Sequence, residues 1–257
     1  MQKGFGSRQE KQLQEMYAQD YDVMLVNLVE PASAAGVLTD AKDADIPVIL
    51  FNREIDEKDL KISKNVWYVG TDARAAGVMQ GKMLKDLWKK QSRILDWNGN
   101  GMLDYVLVEG EESHFDAIRR TSGFLETGAE LPLNQKGNIL AEWKRELAYE
   151  KFAALDDEAV QNVEAVICNN DDMALGVYDY YKEKNLKLPV IIGINNSEEM
   201  HQKIMSGEMY GTIDNKMEDQ VMEICRLMQA ILKKDTGSYQ KVWYSTPKAI
   251  VKAEGTE

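Results

Sequence analysis

The chain has 257 residues, of which 44% are hydrophobic and 29% charged, a balance that fits one or two globular domains and excludes disorder, collagen-like repeats and a disulfide scaffold. Its 31 Lys and Arg against 43 Asp and Glu give a formal net charge of −12, which disfavours nucleic acid and anionic membranes as partners. No stretch approaches the roughly 18 apolar residues of a membrane span.

From the amino end, the pattern predicts a helix over 8–19, a strand over 21–28, a helix over 32–44 and a strand over 47–51. A strand over 66–69, a helix over 72–90, a strand over 105–108 and a helix over 116–128 follow. Beyond these come a strand over 165–168, a helix over 172–184, a strand over 190–194, a helix over 197–206, a strand over 211–213 and a helix over 217–233. Short apolar strands separated by helix-length segments imply parallel pairing through right-handed crossovers, hence an α/β fold. Asp72 and Ser197 read as N-caps. The two cysteines, Cys168 in an apolar run and Cys225 in an amphipathic helix, read as buried free thiols.

Ligands of open α/β sheets collect at the carboxyl ends of the strands. Five predicted strands end in polar residues: Asn52, then Glu111 to His114, Asn169-Asn170-Asp171, Asn195-Asn196 and Asp214-Asn215. Any one of these is an ordinary loop or cap residue, and only their repetition points to a site.

Three local features carry chemistry. The stretch from Asp96 to Asp104 fits a calcium-loop pattern, with oxygen donors at Asp96, Asn98, Asn100, the Met102 carbonyl and Asp104, and Gly101 at the sharp turn. Its twelfth position is Leu107, so a bidentate carboxylate has to come from elsewhere; the alternative is an Asn-Gly-rich turn. His114 and Asp116, with Arg120 four residues on, place a carboxylate and a guanidinium one helical turn apart, as a hydroxyl-rich ligand requires or as any helix-surface ion pair does. Trp143, between Glu142 and Lys144, is either a ring for stacking on a sugar or a half-buried packing residue. No nucleophile elbow, CxxC or phosphate loop is present, which argues against an enzyme.

The motifs Asn27 to Pro31, Pro47 to Asn52, Tyr68 to Asp72, the Asp96 loop, His114 to Arg120, Asn169 to Asp171 and Gly211-Thr212 together resemble the calcium-containing glucose/galactose-binding proteins, extracytoplasmic receptors of sugar ABC transporters and chemotaxis. The resemblance runs over nearly the whole chain. It implies a two-lobed type I periplasmic-binding-protein fold with parallel sheets, closing on a monosaccharide, glucose or galactose. The lobes would be 1–70 with 216–246, and 71–215 with 247–257. The sugar contacts it implies are Asn52, His114, Asp116, Arg120, Asn170, Asn195 and Asn215, with Trp143 stacking on the ring. Glu164 would supply the missing calcium carboxylate. The implied partners are an ABC permease and a chemoreceptor, and the implied place is the periplasm or a lipid anchor on the outer face of the membrane.

Two departures stand out. Asn195 occupies a position where the family has Asp, offering a neutral acceptor in place of a charged one. The family's first strand-helix-strand, which carries an Asp and an aromatic that clamp the sugar, has no counterpart before residue 8. The expectation is therefore an incomplete amino-terminal lobe, impaired sugar binding, and an exposed strand over 21–28 that invites pairing with a second copy of the chain. The rival reading is the effector-binding core of a transcriptional regulator of the lac-repressor type; the acidic charge, the calcium loop and the lack of a helix-turn-helix speak against it.

Overall fold

The computed structural model describes residues 3–156 and 160–252, with side chains from residue 6 onward. The chain forms two compact units: the first runs to Asp72 and resumes over Lys216–Thr246, while the second takes Ala73–Asn215 and resumes at Pro247. The first unit opens with α1 (Lys3–Tyr17), β1 (Met24–Val26), α2 (Ala34–Asp43), β2 (Val48–Phe51) and β3 (Val66–Thr71). The second contains α3 (Ala73–Leu95), β4 (Leu103–Glu109), α4 (Phe115–Gly128), β5 (Leu133–Leu140) and α5 (Arg145–Ala153). It continues with β6 (Ala165–Cys168), α6 (Asp171–Glu183), β7 (Val190–Ile192), α7 (Glu198–Ser206) and β8 (Gly211–Asp214). The chain then returns to the first unit for α8 (Met217–Leu232) and β9 (Val242–Ser245), and to the second for β10 (Lys248–Val251).

The first sheet has the order β1-β2-β3-β9 and is parallel throughout. Alternation along each strand sorts its side chains between two cores. Val48, Leu50, Val66 and Tyr68 pack beneath Leu13 of α1 and Val37, Leu38 and Ala41 of α2. Their neighbours Ile49, Trp67 and Val69 turn to the opposite face, under Leu227 and Ile231 of α8. β1 is an edge strand, shorter than the sequence pattern suggests, and its Leu25 is 42% exposed.

The second sheet has the order β10-β8-β7-β6-β4-β5, parallel except for β10 against β8. Val106, Val108, Val166 and Ile191 face α5, α6 and α7; Leu107, Ile167, Ile192 and Ile213 face the core shared with α3 and α4. Doubly covered strands explain the continuous apolar runs that made them easy to predict. The fold is the expected α/β architecture of parallel sheets. β5, α5, β9 and β10 escaped prediction. β5 reads Leu-Asn-Gln-Lys-Gly-Asn-Ile-Leu, an edge strand with polar residues on both faces, so hydrophobic alternation gives it no signature.

Cys168 is buried as expected, but Cys225 is exposed, because α8 turns Leu227, Ala230 and Ile231 inward and leaves Cys225 outward. Among the described residues no helix is long and apolar enough to cross a membrane.

α3 and α4 meet through glycines. A Cβ on Gly77 would overlap the Arg120 carbonyl oxygen, and one on Gly123 would overlap that of Arg74. The two backbones therefore touch, and Arg120 owes its position to a missing methyl group on the neighbouring helix. Gly77→Ala is expected to destabilise the second unit by about 1–3 kcal/mol through overpacking, read as a lower urea midpoint with an unchanged slope, whereas alanine at exposed Gly36, which has open space around it, should be neutral or stabilising.

Candidate functional site

The polar candidates of the second unit lie at the carboxyl ends of β4, β6, β7 and β8. After β4, Gly110 starts the turn that leads to His114, the N-cap of α4. His114 Nδ1 accepts the Asp116 backbone N–H at 3.1 Å, so in the neutral ring the proton sits on Nε2. Asp116 and Arg120 follow one turn apart, and Arg120 Nη2 donates to Asp116 Oδ2 at 3.4 Å. Their side chains are only 9% and 8% exposed, so this is no ordinary surface ion pair. A buried pair bears a desolvation cost that geometry and extra hydrogen bonds must offset. One such bond runs from Arg120 Nη1 to the Asn169 carbonyl at 2.7 Å.

Trp143 closes this group from the β5–α5 connection. Its ring centroid is 5.0 Å from that of His114 in an edge-on arrangement, and the Arg120 guanidinium lies 5.6 Å from the ring centre. Gly110 makes room for it, since a Cβ there would overlap the indole. Glu142 and Trp143 both have positive φ, 50° and 66°. Two consecutive non-glycine residues in the left-handed region cost of order 1–3 kcal/mol each, and such strain concentrates at ligand sites.

Asn170, at the end of β6, caps α6 by accepting the Met173 N–H at 3.0 Å and donates to the Trp143 carbonyl at 3.2 Å. Its amide thus ties the strained turn to the next helix start. Asn215 Nδ2 donates to Asn195 Oδ1 at 3.0 Å, joining the ends of β7 and β8. Asn195 and Asn196 also have positive φ, 131° and 59°. The structure thus brings His114, Asp116, Arg120, Trp143 and Asn170 together, with Asn195 and Asn215 paired on the neighbouring strands. Asn52 belongs to the first unit, exposed at the end of β2 with φ 64°, its carbonyl accepting the Tyr68 hydroxyl at 2.9 Å.

Two supporting residues, noted in the sequence only as polar strand-end residues, are not among the expected sugar contacts. Asn169 Oδ1 accepts the Gly110 N–H and its Nδ2 donates to Thr121, both at 3.2 Å. Asp171 is 1% exposed; its carboxylate accepts the Thr212 hydroxyl at 2.6 Å and the Ser197 N–H at 2.7 Å, joining α6, β8 and the start of α7. The Gly193 backbone packs against this carboxylate with no space for a side chain. A carboxylate after an Asn-Asn pair carries no sequence mark that separates a strut from a ligand.

The Asp96 loop lies elsewhere in the second unit, ahead of β4. Gly99 and Gly101 take φ of 72° and 80°, and the Gly101 N–H donates to Asp96 Oδ2 at 2.9 Å. Asn98 and Asn100 donate to Asp104 Oδ2 at 3.0 and 3.2 Å. Glu164 arrives from the residue before β6 and accepts the N–H groups of Asn98 and Asp104 at 3.3 and 2.9 Å. Asp104 is 2% exposed and Glu164 fully buried. Burial pushes the Glu164 carboxyl above its ordinary range, and the Asp104 charge adds to the rise. Among the described residues no three His, Cys, Asp or Glu side chains form a metal-binding group by themselves; the loop's oxygen set depends on its amides and the Met102 carbonyl.

A profile of the periplasmic binding protein domain matches residues 3–236. The chain belongs to the periplasmic binding protein family. It is 31% identical over 245 residues to the galactose/methyl-galactoside binding periplasmic protein of Haemophilus influenzae, covering 92% of this chain and 72% of that one. It is 28% identical over 212 residues to the galactofuranose-binding protein of Escherichia coli, covering 79% of this chain and 62% of the relative. Among solved structures, a solute binding protein of Actinobacillus succinogenes with bound D-allose superposes with a TM-score of 0.82 at 21% identity, over 94% of this chain and 81% of that one. A galactofuranose binding protein gives 0.82 at 24%, over 96% and 80%. These likenesses establish the fold, and the family is one of binding proteins, not enzymes.

Asp171 makes the scaffold sensitive to pH. Burial raises its carboxyl to about 6, above the roughly 3.9 of an unfolded Asp. Its proton is therefore held more tightly in the folded chain. The stability it contributes is complete below about pH 4 and is lost as pH rises through 6. Urea unfolding of wild type and Asp171→Asn between pH 4 and 7 should show the wild type losing about 2 kcal/mol relative to the variant; parallel curves would refute this.

Proposed function

We propose that the chain is an extracytoplasmic receptor for a monosaccharide of the glucose/galactose class, serving a sugar ABC transporter or a chemotaxis system, with a structural calcium ion in the Asp96 loop. The observation that carries this reading is the buried Asp116–Arg120 pair set against Trp143, whose backbone is held in a strained conformation beside His114 and the Asn170 cap. Sugars offer this arrangement what it needs: hydroxyls that donate to Asp116 and accept from Arg120 and His114 Nε2, and a C–H face for the indole. The principal hydroxyl contacts would come from these groups, with Asn170, Asn195 and Asn215 completing the second unit's set and Asn52 the candidate contact of the first. The galactose and galactofuranose named for the two relatives support a sugar ligand. Asn195, as a neutral acceptor, weakens the grip relative to a carboxylate. The proposed partners are a permease, a chemoreceptor and a second copy of the chain along the edge of β1.

The loop residues fit a hard cation. Asp96 Oδ1 is buried and has no hydrogen-bond partner among the described residues, and Glu164 is buried with its ionised form disfavoured. Asp96, Asn98, Asn100, the Met102 carbonyl, Asp104 and Glu164 would hold calcium, an all-oxygen set of the kind the ion takes. When bound, the ion would supply charge neutralisation and fold stability, with no part in a reaction.

Thermal melting with a panel of monosaccharides, with and without EDTA, tests both parts. Glucose or galactose should raise the melting temperature, and EDTA should lower it independently of sugar. Asp116→Asn and Trp143→Ala should each weaken sugar binding by about tenfold or more while keeping the calcium response. No shift with any sugar would sink the receptor reading.

A further inference from the structure

We propose that Lys136 is a built-in competitor for the cation of the Asp96 loop, an ammonium that partly neutralises the site when calcium is absent and lowers calcium affinity when it is present. The inference rests on the calcium reading above. Its structural origin is a bulge in β5: Tyr105 pairs with Gln135 and Val106 with Gly137, so Lys136 is the inserted residue, opposite nothing on β4. Bulges re-aim side chains. Here Lys136 Nζ comes to 3.9 Å from Asp104 Oδ2, with the lysine side chain 34% exposed and Asp104 2%. Two residues earlier, Asn134 Nδ2 donates to Asp104 Oδ1 at 2.6 Å. One short segment of β5 thus engages both oxygens of a carboxylate that the loop needs for its cation.

Lys187 makes a useful contrast. It also lies near the loop, but its ammonium rests 3.7 Å from the centre of the Trp97 ring, a cation–π seat away from the carboxylates. Only Lys136 makes an ion pair with a loop carboxylate among the described residues. Asp104, 2% exposed, and the fully buried Glu164, joined through the Asp104 N–H at 2.9 Å, set two carboxyl groups close together, and their mutual repulsion makes a cation-free loop costly. A tethered ammonium relieves part of that repulsion. A divalent ion then has to share Asp104 with it or push it into solvent, and the like charge nearby reduces what the ion gains.

The test uses the full chain as wild type, Lys136→Met, Lys136→Gln and Lys136→Arg. Methionine keeps much of the apolar stem and removes the charge. Calcium affinity is read by competition with a fluorescent chelator, and stability by melting in EDTA and in saturating calcium. The Met and Gln variants are expected to bind calcium about three- to tenfold more tightly, a range that spans exposed and half-buried ion pairs, and to melt below wild type in EDTA but not in calcium. Arginine, which retains the charge, should match wild type. Unchanged or weaker calcium binding by both uncharged variants, with wild type binding normally, overturns the proposal alone. A wild type that neither competes with the chelator nor responds to EDTA overturns the calcium reading and this inference with it.

Discussion

The buried Arg120 guanidinium is the piece on which the second unit's polar site depends. It holds the Asn169 carbonyl at the end of β6, pairs with Asp116 one turn earlier on α4, and lies near the face of Trp143 from the β5–α5 turn. Three separate chain segments therefore converge on one cation. A charge this deeply buried is tolerable only with its partners in place, so the arrangement is cooperative: each partner makes the others affordable. The backbone of Arg120 is fixed independently, because Gly77 lets α3 approach its carbonyl. Side-chain position is thus set by helix packing first and by hydrogen bonds second.

Most of the architecture was legible because parallel strands covered on both faces write themselves as uninterrupted apolar runs. Val48 to Phe51 and Ala165 to Cys168 are such runs, and each emerged as a strand. The failures share a cause. β5 lies at a sheet edge and is half polar, and its bulge at Lys136 breaks whatever alternation it has. β9 and β10 are four residues each, too short for periodicity to show. Cys225 was misplaced because an amphipathic helix tells which residues share a face, but not how wide a stripe its neighbours will cover.

The site was legible in its residue types and not in its mechanics. His114, Asp116, Arg120 and Asn170 follow strands, where α/β sheets place ligands, and the structure gathers them with Trp143. The left-handed backbone at Asn52, Trp143 and Asn195 left no trace in composition, since only the surrounding fold forces it. Asn readily takes that conformation; Trp does not, which makes residue 143 the more informative case. Asp171 was invisible as a strut for a different reason: its role depends on Thr212 and Ser197, which lie 41 and 26 residues away in the chain.

The placement of the two thiols has a practical consequence. Cys168 is sealed in the core, and burial holds it well above the ordinary thiol range, so it stays protonated and inert. Cys225 stands exposed on α8, in the first unit, remote in sequence from the polar residues of the second. The native chain consequently offers a single handle for a maleimide dye or spin label. A probe fixed there would watch one unit from a defined point, with no engineered cysteine and no background from the other thiol.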